Sequence, residues 1–362
     1  MHFKSISINN FRNISSATLS TDAEDIILTG INGQGKTNLL EGIYTLCYGS
    51  SFRTSNFKDC IQHESEGFSI KGLFVNDSGE NETIQVVYKD GKRKITLDGK
   101  EIKDRKELIY QFPCIVFCHE DINFIKGEPE DRRRFFDQMM SLYSPLFFDS
   151  QRNYRSILAQ RNAAIKNQQY GLVSLYNERL AFYGLEIMKA RTEAVYMFNQ
   201  IFPDLFSLVS NTDLVLEIDY QPSWKDLSNI NEIATYLDDT FERDVKMNTT
   251  TSGIHRDKFV IKSQYGSFSS IGSTGQLRLC SLIFRIAQAR YFTLNSGKKP
   301  ILLIDDVLLE LDSDKRALVL NELKQYSQAF YTFLPNESYF SDTHKHGLHY
   351  LVEGGNFIDK NS

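Results

Sequence analysis

Apolar and polar positions change rhythm along this chain, and the changes divide it. The opening stretch alternates. Phe3, Ile6 and Ile8 read as a strand, and the apolar run from Ile26 reads as a second strand that stops at Gly30. Helical spacing follows from about Lys36 to Cys47. FSIKGLFV and ETIQVVYK alternate again as strands, and KRKITLDGKEI reads as a hairpin turned by Asp98-Gly99. From about Pro129 to Phe198 the spacing is helical, with Leu172, Leu175, Tyr176, Leu180, Tyr183 and Ile187 in one stripe. Pro203 reads as the end of that region. DLVLEIDY returns to strand, Asp226 to Met247 reads as helix, and FVIKS is another strand. The last third alternates a helix from about Thr274 to Leu294, the strand PILLIDDV, and a helix near Lys315 to Tyr326. No heptad persists over several repeats, which predicts no long coiled coil.

This order predicts an α/β protein whose main lobe is built from both chain ends, residues 1–118 and 250–362. A mainly helical lobe, residues 119–249, is inserted between them. A chain of 362 residues exceeds one ordinary core, so two lobes are expected. The net charge is -5 and the pI about 5.9. A constitutive DNA-coating protein is usually basic, because it must neutralise phosphates. Nucleic-acid binding here therefore needs a local patch, or a surface that exists in one state only. No apolar run approaches the length of a membrane span, and the first residues lack the apolar region of a signal peptide. Cys47, Cys60, Cys114, Cys118 and Cys280 fit no metal-binding pair and read as buried thiols of a reduced, cytoplasmic protein.

Candidate chemistry begins at Gly30. GINGQGKT, Gly30 to Thr37, fits G-x-x-x-x-G-K-[ST] without mismatch and lies between an apolar strand and a helix. Glycine lets backbone N–H groups wrap a phosphate, and the following helix adds its positive end. Gly30, Asn32, Gly33, Gln34, Gly35, Lys36, Thr37 and Asn38 are the expected nucleotide contacts. Lys36 is expected on the β- and γ-phosphates of ATP, and the Thr37 hydroxyl on Mg²⁺. ILLIDD, Ile301 to Asp306, is an apolar strand ending in two carboxylates. Asp305 is expected to hold the Mg²⁺ shell and Asp306 to act as general base or to position water. GSTGQLRL, Gly272 to Leu279, puts Ser273, Gly275 and Gln276 at a helix start. The core face of that helix is Leu277, Cys280, Ile283, Phe284 and Ala287. A serine hydroxyl and free N–H groups there form an anion site; an ordinary helix cap is the alternative.

The signature at Ser273, with the P-loop before it and the carboxylate pair after it, resembles that of ABC ATPases. LELD, Leu309 to Asp312, stands at the spacing of their D-loop, although Leu309 replaces a small residue. No switch histidine is found in YTFLPNE, from Tyr331. Further stretches resemble the RecF family. They are NNFRN, Asn9 to Asn13; EGIYTLCYGSSFRT, from Glu41; HEDINFIKGEPEDRRRFFD, His119 to Asp137; and SGIHRD, Ser252 to Asp257. His119, Glu128 and Ile254 depart from that family's usual residues.

The resemblance implies an ABC-type P-loop ATPase head, SMC-like but without the long coiled coil. It implies an ATP-dependent homodimer in which Ser273, Gly275 and Gln276 reach the γ-phosphate held by the other subunit. It implies slow ATP hydrolysis used as a switch, and binding to double-stranded and single-strand-gapped DNA. It implies cooperation with RecR and RecO in loading RecA. Two other readings share the nucleotide motifs: the ATPase subunit of a membrane transporter, and a nucleotide-dependent scaffold in which hydrolysis is incidental. The basic groups Lys89 to Lys94, Arg132 to Arg134, and Arg152, Arg155 and Arg161 are either DNA-facing or solvated charged faces. Arg133 reads as a lobe-orienting residue, and His255 and Arg256 either sense nucleotide or buttress the sheet.

Overall fold

The structure is a computed structural model, described here for residues 1–76, 78–323, 325–335 and 347–360. It is α/β, and its chain forms two compact units. Met1–Glu120 and Phe292–Ser362 make the first, and Asp121–Tyr291 the second. The second boundary falls later than the sequence division at 249/250. The physical reason is strand pairing. Lys258–Ser263 pairs antiparallel with Leu216–Gln221, which ties the segment after residue 250 into the second unit. The signature at Ser273 therefore belongs to that unit rather than to the one holding the P-loop.

Two sheets build the first unit. The antiparallel one runs Ile14–Ser20, His2–Phe11, Gly67–Val75, Asn81–Lys89, Lys92–Leu97, Lys100–Glu101 in space. Phe3 and Ile6 share its buried side despite their odd spacing, because the pairing slips by one residue between Phe3 and Ser5. The predicted turn is present, with Asp98 and Gly99 both left-handed at φ 46° and 77°. The second sheet runs Asn356–Asp359, Leu348–Glu353, Asp25–Thr29, Gln328–Phe333, Ile301–Ile304, Cys114–Phe117. From Leu348–Glu353 to Cys114–Phe117 its neighbours are parallel. Strands buried on both faces read as continuous apolar runs, and Ile301–Ile304 and Cys114–Phe117 are buried at every position. The helix Lys36–Tyr48 joins one apolar cluster with both sheets through Leu39, Leu40, Ile43 and Leu46. Gly42 permits its close approach, since a Cβ there would lie 2.9 Å from Ile8 Cδ1.

The second unit rests on an antiparallel helix pair, Pro145–Lys166 and Val173–Phe198. The buried positions of the longer helix include Val173, Asn177, Leu180, Gly184, Ile187, Arg191, Ala194 and Phe198, spaced alternately by four and three. These residues make one buried seam along the helix, and it faces several elements rather than a single partner helix. Apolar spacing alone does not show it, because Asn177, Gly184 and Arg191 occupy every second seam position. Leu172 and Leu175, assigned to the stripe from sequence, are exposed. Gly184 leaves room for the Trp224 ring, which a Cβ would meet at 2.4 Å. Pro203 does not end a helix. It sits in the first turn of Phe202–Ser210, where its missing N–H costs nothing, and left-handed Asn211 is the stop.

Two fully buried arginines hold this unit. Arg161 donates to Asn177 Oδ1 at 2.6 Å, to Asp244 Oδ2 at 2.7 Å and to Thr250 Oγ1 at 2.8 Å. Arg191 binds both Asp137 oxygens, and Asp257 Oδ2 at 2.7 Å. Burial opposes the charge on Arg191, but Asp137, Tyr220 and Asp257 outweigh it and keep the guanidinium protonated. Removing one member strands a buried charge, at a cost of roughly 3–5 kcal/mol. Arg161→Ala should lower unfolding stability by that amount in a urea titration. A loss below about 1 kcal/mol would show that Asp244 finds water instead.

Candidate functional site

Parallel pairing places the ends of distant strands side by side. The loop Gly30 to Gly35 leaves Asp25–Thr29 at one edge of the sheet, and Asp305 and Asp306 leave Ile301–Ile304 at the same edge. Gly33 and Gly35 take φ of 80° and 120°, backbone that side-chain-bearing residues rarely adopt. Lys36 is 4% exposed and folds back into the loop, with Nζ donating to Gly30 O at 2.7 Å and Ile31 O at 3.3 Å. Its Nζ lies 3.9 Å from Asp306 Oδ2. Thr37 Oγ1 donates to the Asp305 carboxylate, 2.8 Å from Oδ1 and 2.9 Å from Oδ2. The lysine, the hydroxyl and both carboxylates therefore meet in one place.

One further member is absent from the sequence reading. Thr332 lies on Gln328–Phe333, the strand between the P-loop strand and the carboxylate strand. Its hydroxyl accepts from Asp306 N–H at 2.8 Å and lies 2.8 Å from Asp306 Oδ1 and 3.2 Å from Asp305 Oδ1. A threonine between Tyr331 and Phe333 in a mostly apolar run was the available signal. Asp306 itself is held left-handed at φ 55°. His119 Nδ1 pairs with Glu310 Oε1 at 3.1 Å, so the loop before Leu311 is tied to the end of the strand Cys114–Phe117. The segment searched for a switch histidine runs into Asn336 and Glu337, which lie outside the described residues.

Glu41 joins two of the stretches that the sequence singled out. It is fully buried on the P-loop helix and receives Arg12 on both oxygens, at 2.9 Å and 2.7 Å. Arg53 Nη1 reaches it at 3.2 Å and also binds Asn38 Oδ1 at 2.9 Å. Asn38 in turn donates to Asn13 Oδ1 at 2.8 Å, and Asn13 donates to Gly33 O at 3.3 Å. The Asn9 to Asn13 turn thus buttresses the P-loop. Asn38 is engaged in this support, while Asn32 is exposed. Burial, reinforced by Glu41, pushes the Cys60 thiol up to about 12, so it stays protonated.

In the second unit Ser273 and Gln276 form a reciprocal cap. Gln276 N–H donates to Ser273 Oγ at 3.3 Å, and Ser273 N–H to Gln276 Oε1 at 2.9 Å. Capping uses a lone pair of the hydroxyl and leaves its proton free to donate. Ser273 and Gln276 therefore serve as cap and remain able to bind an anion beside Gly275, where a Cβ would meet only open space. The predicted core face is buried at Leu277, Cys280, Ile283, Phe284 and Ala287. Phe284 packs against Phe135, Phe198 and Phe202, with centroids 5.2, 5.3 and 4.7 Å away.

The basic groups differ in their surroundings. Arg161 is buried, which removes it from any DNA-facing or solvated face. Arg132 donates to Gly127 O at 3.0 Å and Arg133 to Asp257 O at 2.8 Å, both as local braces. Arg93 stands over the Phe57 ring and donates to Gly49 O. Lys89, Lys92, Lys94, Arg134, Arg152, Arg155 and Arg256 are exposed, as is Arg93. His255 is a buttress: Nδ1 lies 2.9 Å from Tyr154 Oη and Nε2 3.1 Å from Thr250 O. Burial pulls its pKa down to about 4.

A carboxylate, a hydroxyl and a lysine at a glycine loop suit a phosphate chain with a hard divalent cation. Among the described residues no cluster of three or more His, Cys, Asp or Glu could hold a metal by itself. Mg²⁺ takes one or two protein ligands and fills its shell from phosphate and water. The profile of the RecF/RecN/SMC N terminal domain matches residues 2–345. DNA replication and repair protein RecF of Treponema pallidum (strain Nichols) is 38% identical over 332 residues, 91% of this chain and 93% of that protein. The solved structure of the recombination mediator protein RecF-ATP in the RecFOR pathway superposes with TM-score 0.89. It is 27% identical and covers 99% of this chain and 97% of its own. The SmcHead bound to the C-winged helix domain of ScpA gives TM-score 0.61 at 14% identity over 99% and 97%, a likeness of fold alone.

Burial raises the Asp305 pKa, and the Asp306 charge adds to the rise, against hydrogen bonds from Thr37 and Thr332. A carboxyl raised on folding contributes its stability below the ordinary carboxylate range and loses it as pH rises through the folded value. Asp305→Asn should therefore raise the nucleotide-free melting temperature at pH 7 by a few degrees. The gain should shrink as pH falls through the raised folded value and be gone below about 4, the ordinary carboxylate value. A variant less stable than wild type at pH 7 would contradict the assignment.

Proposed function

The chain belongs to the RecF family of DNA replication and repair proteins, and from that premise we propose that it is an ATP-driven switch acting on DNA. The observation that carries the proposal is the meeting of Lys36, Thr37, Asp305 and Asp306 at one sheet edge. ATP binds with its phosphates in the Gly30 to Thr37 loop, against the inward N–H groups and the buried Lys36 ammonium. Thr37 and Asp305 would hold Mg²⁺, which would neutralise phosphate charge when bound. Asp306 takes the proton of the attacking water as its oxygen adds to the γ-phosphorus and ADP leaves. Thr332 fixes the Asp306 carboxylate while that happens. Ser273, Gly275 and Gln276 act on nucleotide held by a second copy, so that ATP makes the homodimer.

Hydrolysis is slow in this reading. Asp306 is one methylene shorter than the glutamate common at this position in ABC ATPases, and a shorter arm reaches the water less readily. The ATP-bound dimer then lasts long enough to mark double-stranded DNA beside a single-strand gap. With RecR and RecO it helps load RecA there. The relatives' names support repair and replication, and no described helix is long and apolar enough to cross a membrane. Cytoplasmic action is part of the proposal.

Two experiments test it. Asp306→Asn keeps size and hydrogen bonding but removes the base. It should bind ATP, dimerise, and lose at least tenfold in single-turnover hydrolysis. DNA dissociation with ATP at fixed salt should slow in proportion. Blocked hydrolysis with unchanged DNA release would favour the scaffold reading. Ser273→Arg should leave ATP binding by the monomer intact and abolish ATP-dependent dimerisation in light scattering. Normal dimerisation would reduce Ser273 to a helix cap.

A further inference from the structure

The two glycines near the end of the described chain stand at the nucleotide loop. Leu348–Glu353 and Asn356–Asp359 form a hairpin turned by Gly354 and Gly355, both left-handed at φ 57° and 82°. Leu348–Glu353 runs parallel to Asp25–Thr29 and pairs with it directly, with Leu351 opposite Thr29. Two adjacent parallel strands end at the same edge, so the turn lies beside the P-loop. Both of its N–H groups point there. Gly354 donates to Gln34 Oε1 at 2.7 Å, and Gly355 donates to Gln34 O at 2.8 Å. The fit is close on either side. A Cβ on Gly30 would lie 2.5 Å from Val352 O, and a Cβ on Gly355 would lie 2.4 Å from Asn13 O. Asn13 is the residue that donates to Gly33 O.

We infer that this hairpin is a positioning element for nucleotide binding: its Gly354-Gly355 turn grips Gln34 and holds the P-loop in its phosphate-binding shape. A phosphate loop works by aiming N–H groups at the anion, which turns some of its carbonyls outward. An outward carbonyl needs a donor, and here Gln34 O has Gly355 N–H. The Gln34 side chain, expected on nucleotide from the motif alone, accepts from Gly354 N–H through Oε1. Preorganisation of this kind lowers the ordering cost of binding, so it acts on affinity. It is also reciprocal. A turn that favours the bound loop must itself be held more firmly when ATP is present.

The inference rests on the ATP-binding reading, and the tests keep the two apart. Gly355→Ala meets the Asn13 carbonyl as well as a left-handed φ, whereas Gly354→Ala meets only the φ, in open space. Both keep the N–H group. ATP affinity by calorimetry should fall at least tenfold in Gly355→Ala and no more than about threefold in Gly354→Ala. Gly355→Ala should lower the nucleotide-free melting temperature more than Gly354→Ala, so affinities are compared well below both transitions, where both variants are folded and a folding effect does not enter. In the wild-type chain, ATP should slow amide exchange in the Gly354-Gly355 turn, a readout that needs no variant. Equal ATP affinity in wild type and Gly355→Ala, or unchanged exchange in the turn, overturns the brace alone. A wild-type chain that binds no ATP overturns both the brace and the nucleotide reading.

Discussion

Thr37 and Asp305 are 268 residues apart in sequence and 2.8 Å apart in space. Everything chemical about the protein depends on that closure, and parallel strand pairing produces it. With either of the two strands that carry them reversed, the P-loop and the carboxylate pair would lie at opposite edges of the sheet. In the observed order the strand Gln328–Phe333 stands between the two strands that carry them. That intervening strand also contributes Thr332, whose hydroxyl spans both aspartates. Loops on the same edge then support one another: Asn13 and Gln34 connect the P-loop to two turns, and His119 connects to Glu310.

The second unit solves a different problem with similar economy. The long helix needs a continuous buried seam, yet three of its seam positions carry Asn177, Gly184 and Arg191. Each has a local reason. Asn177 accepts from Arg161, Gly184 admits Trp224, and Arg191 gathers Asp137 and Asp257. Asp257 belongs to the stretch SGIHRD, so its carboxylate anchors that turn while Arg256 stays exposed. Buried ion pairs of this kind specify one arrangement of helices rather than adding much net stability. The signature helix enters the same core through Phe284, which fixes where Ser273 is presented within the unit.

The candidate nucleotide site was legible in the sequence because it is made of two short motifs, each constrained by its own local geometry. Glycines at Gly33 and Gly35, a lysine and threonine after them, and an apolar strand ending in Asp305-Asp306 each announce a backbone shape. The turn at Asp98-Gly99 and the core face of the signature helix were legible for the same reason. Short-range periodicity carries such information directly.

Tertiary structure decided the rest. Whether an arginine faces water or a buried aspartate is not encoded by its neighbours in sequence, and Arg161 shows this: it sits in a charged helical stretch and is fully buried. Thr332, Gly354 and Gly355 acquire their roles from strands that pair across the chain, and Pro203 opens a helix because the first turn needs no N–H from it. The seam of the long helix was hidden by polar residues whose partners, Arg161 and Asp257 among them, are remote in sequence. Local patterns follow from the stereochemistry of a few consecutive residues. Partnerships between distant residues follow only from the pairing and packing of whole elements, and those are properties of the folded chain.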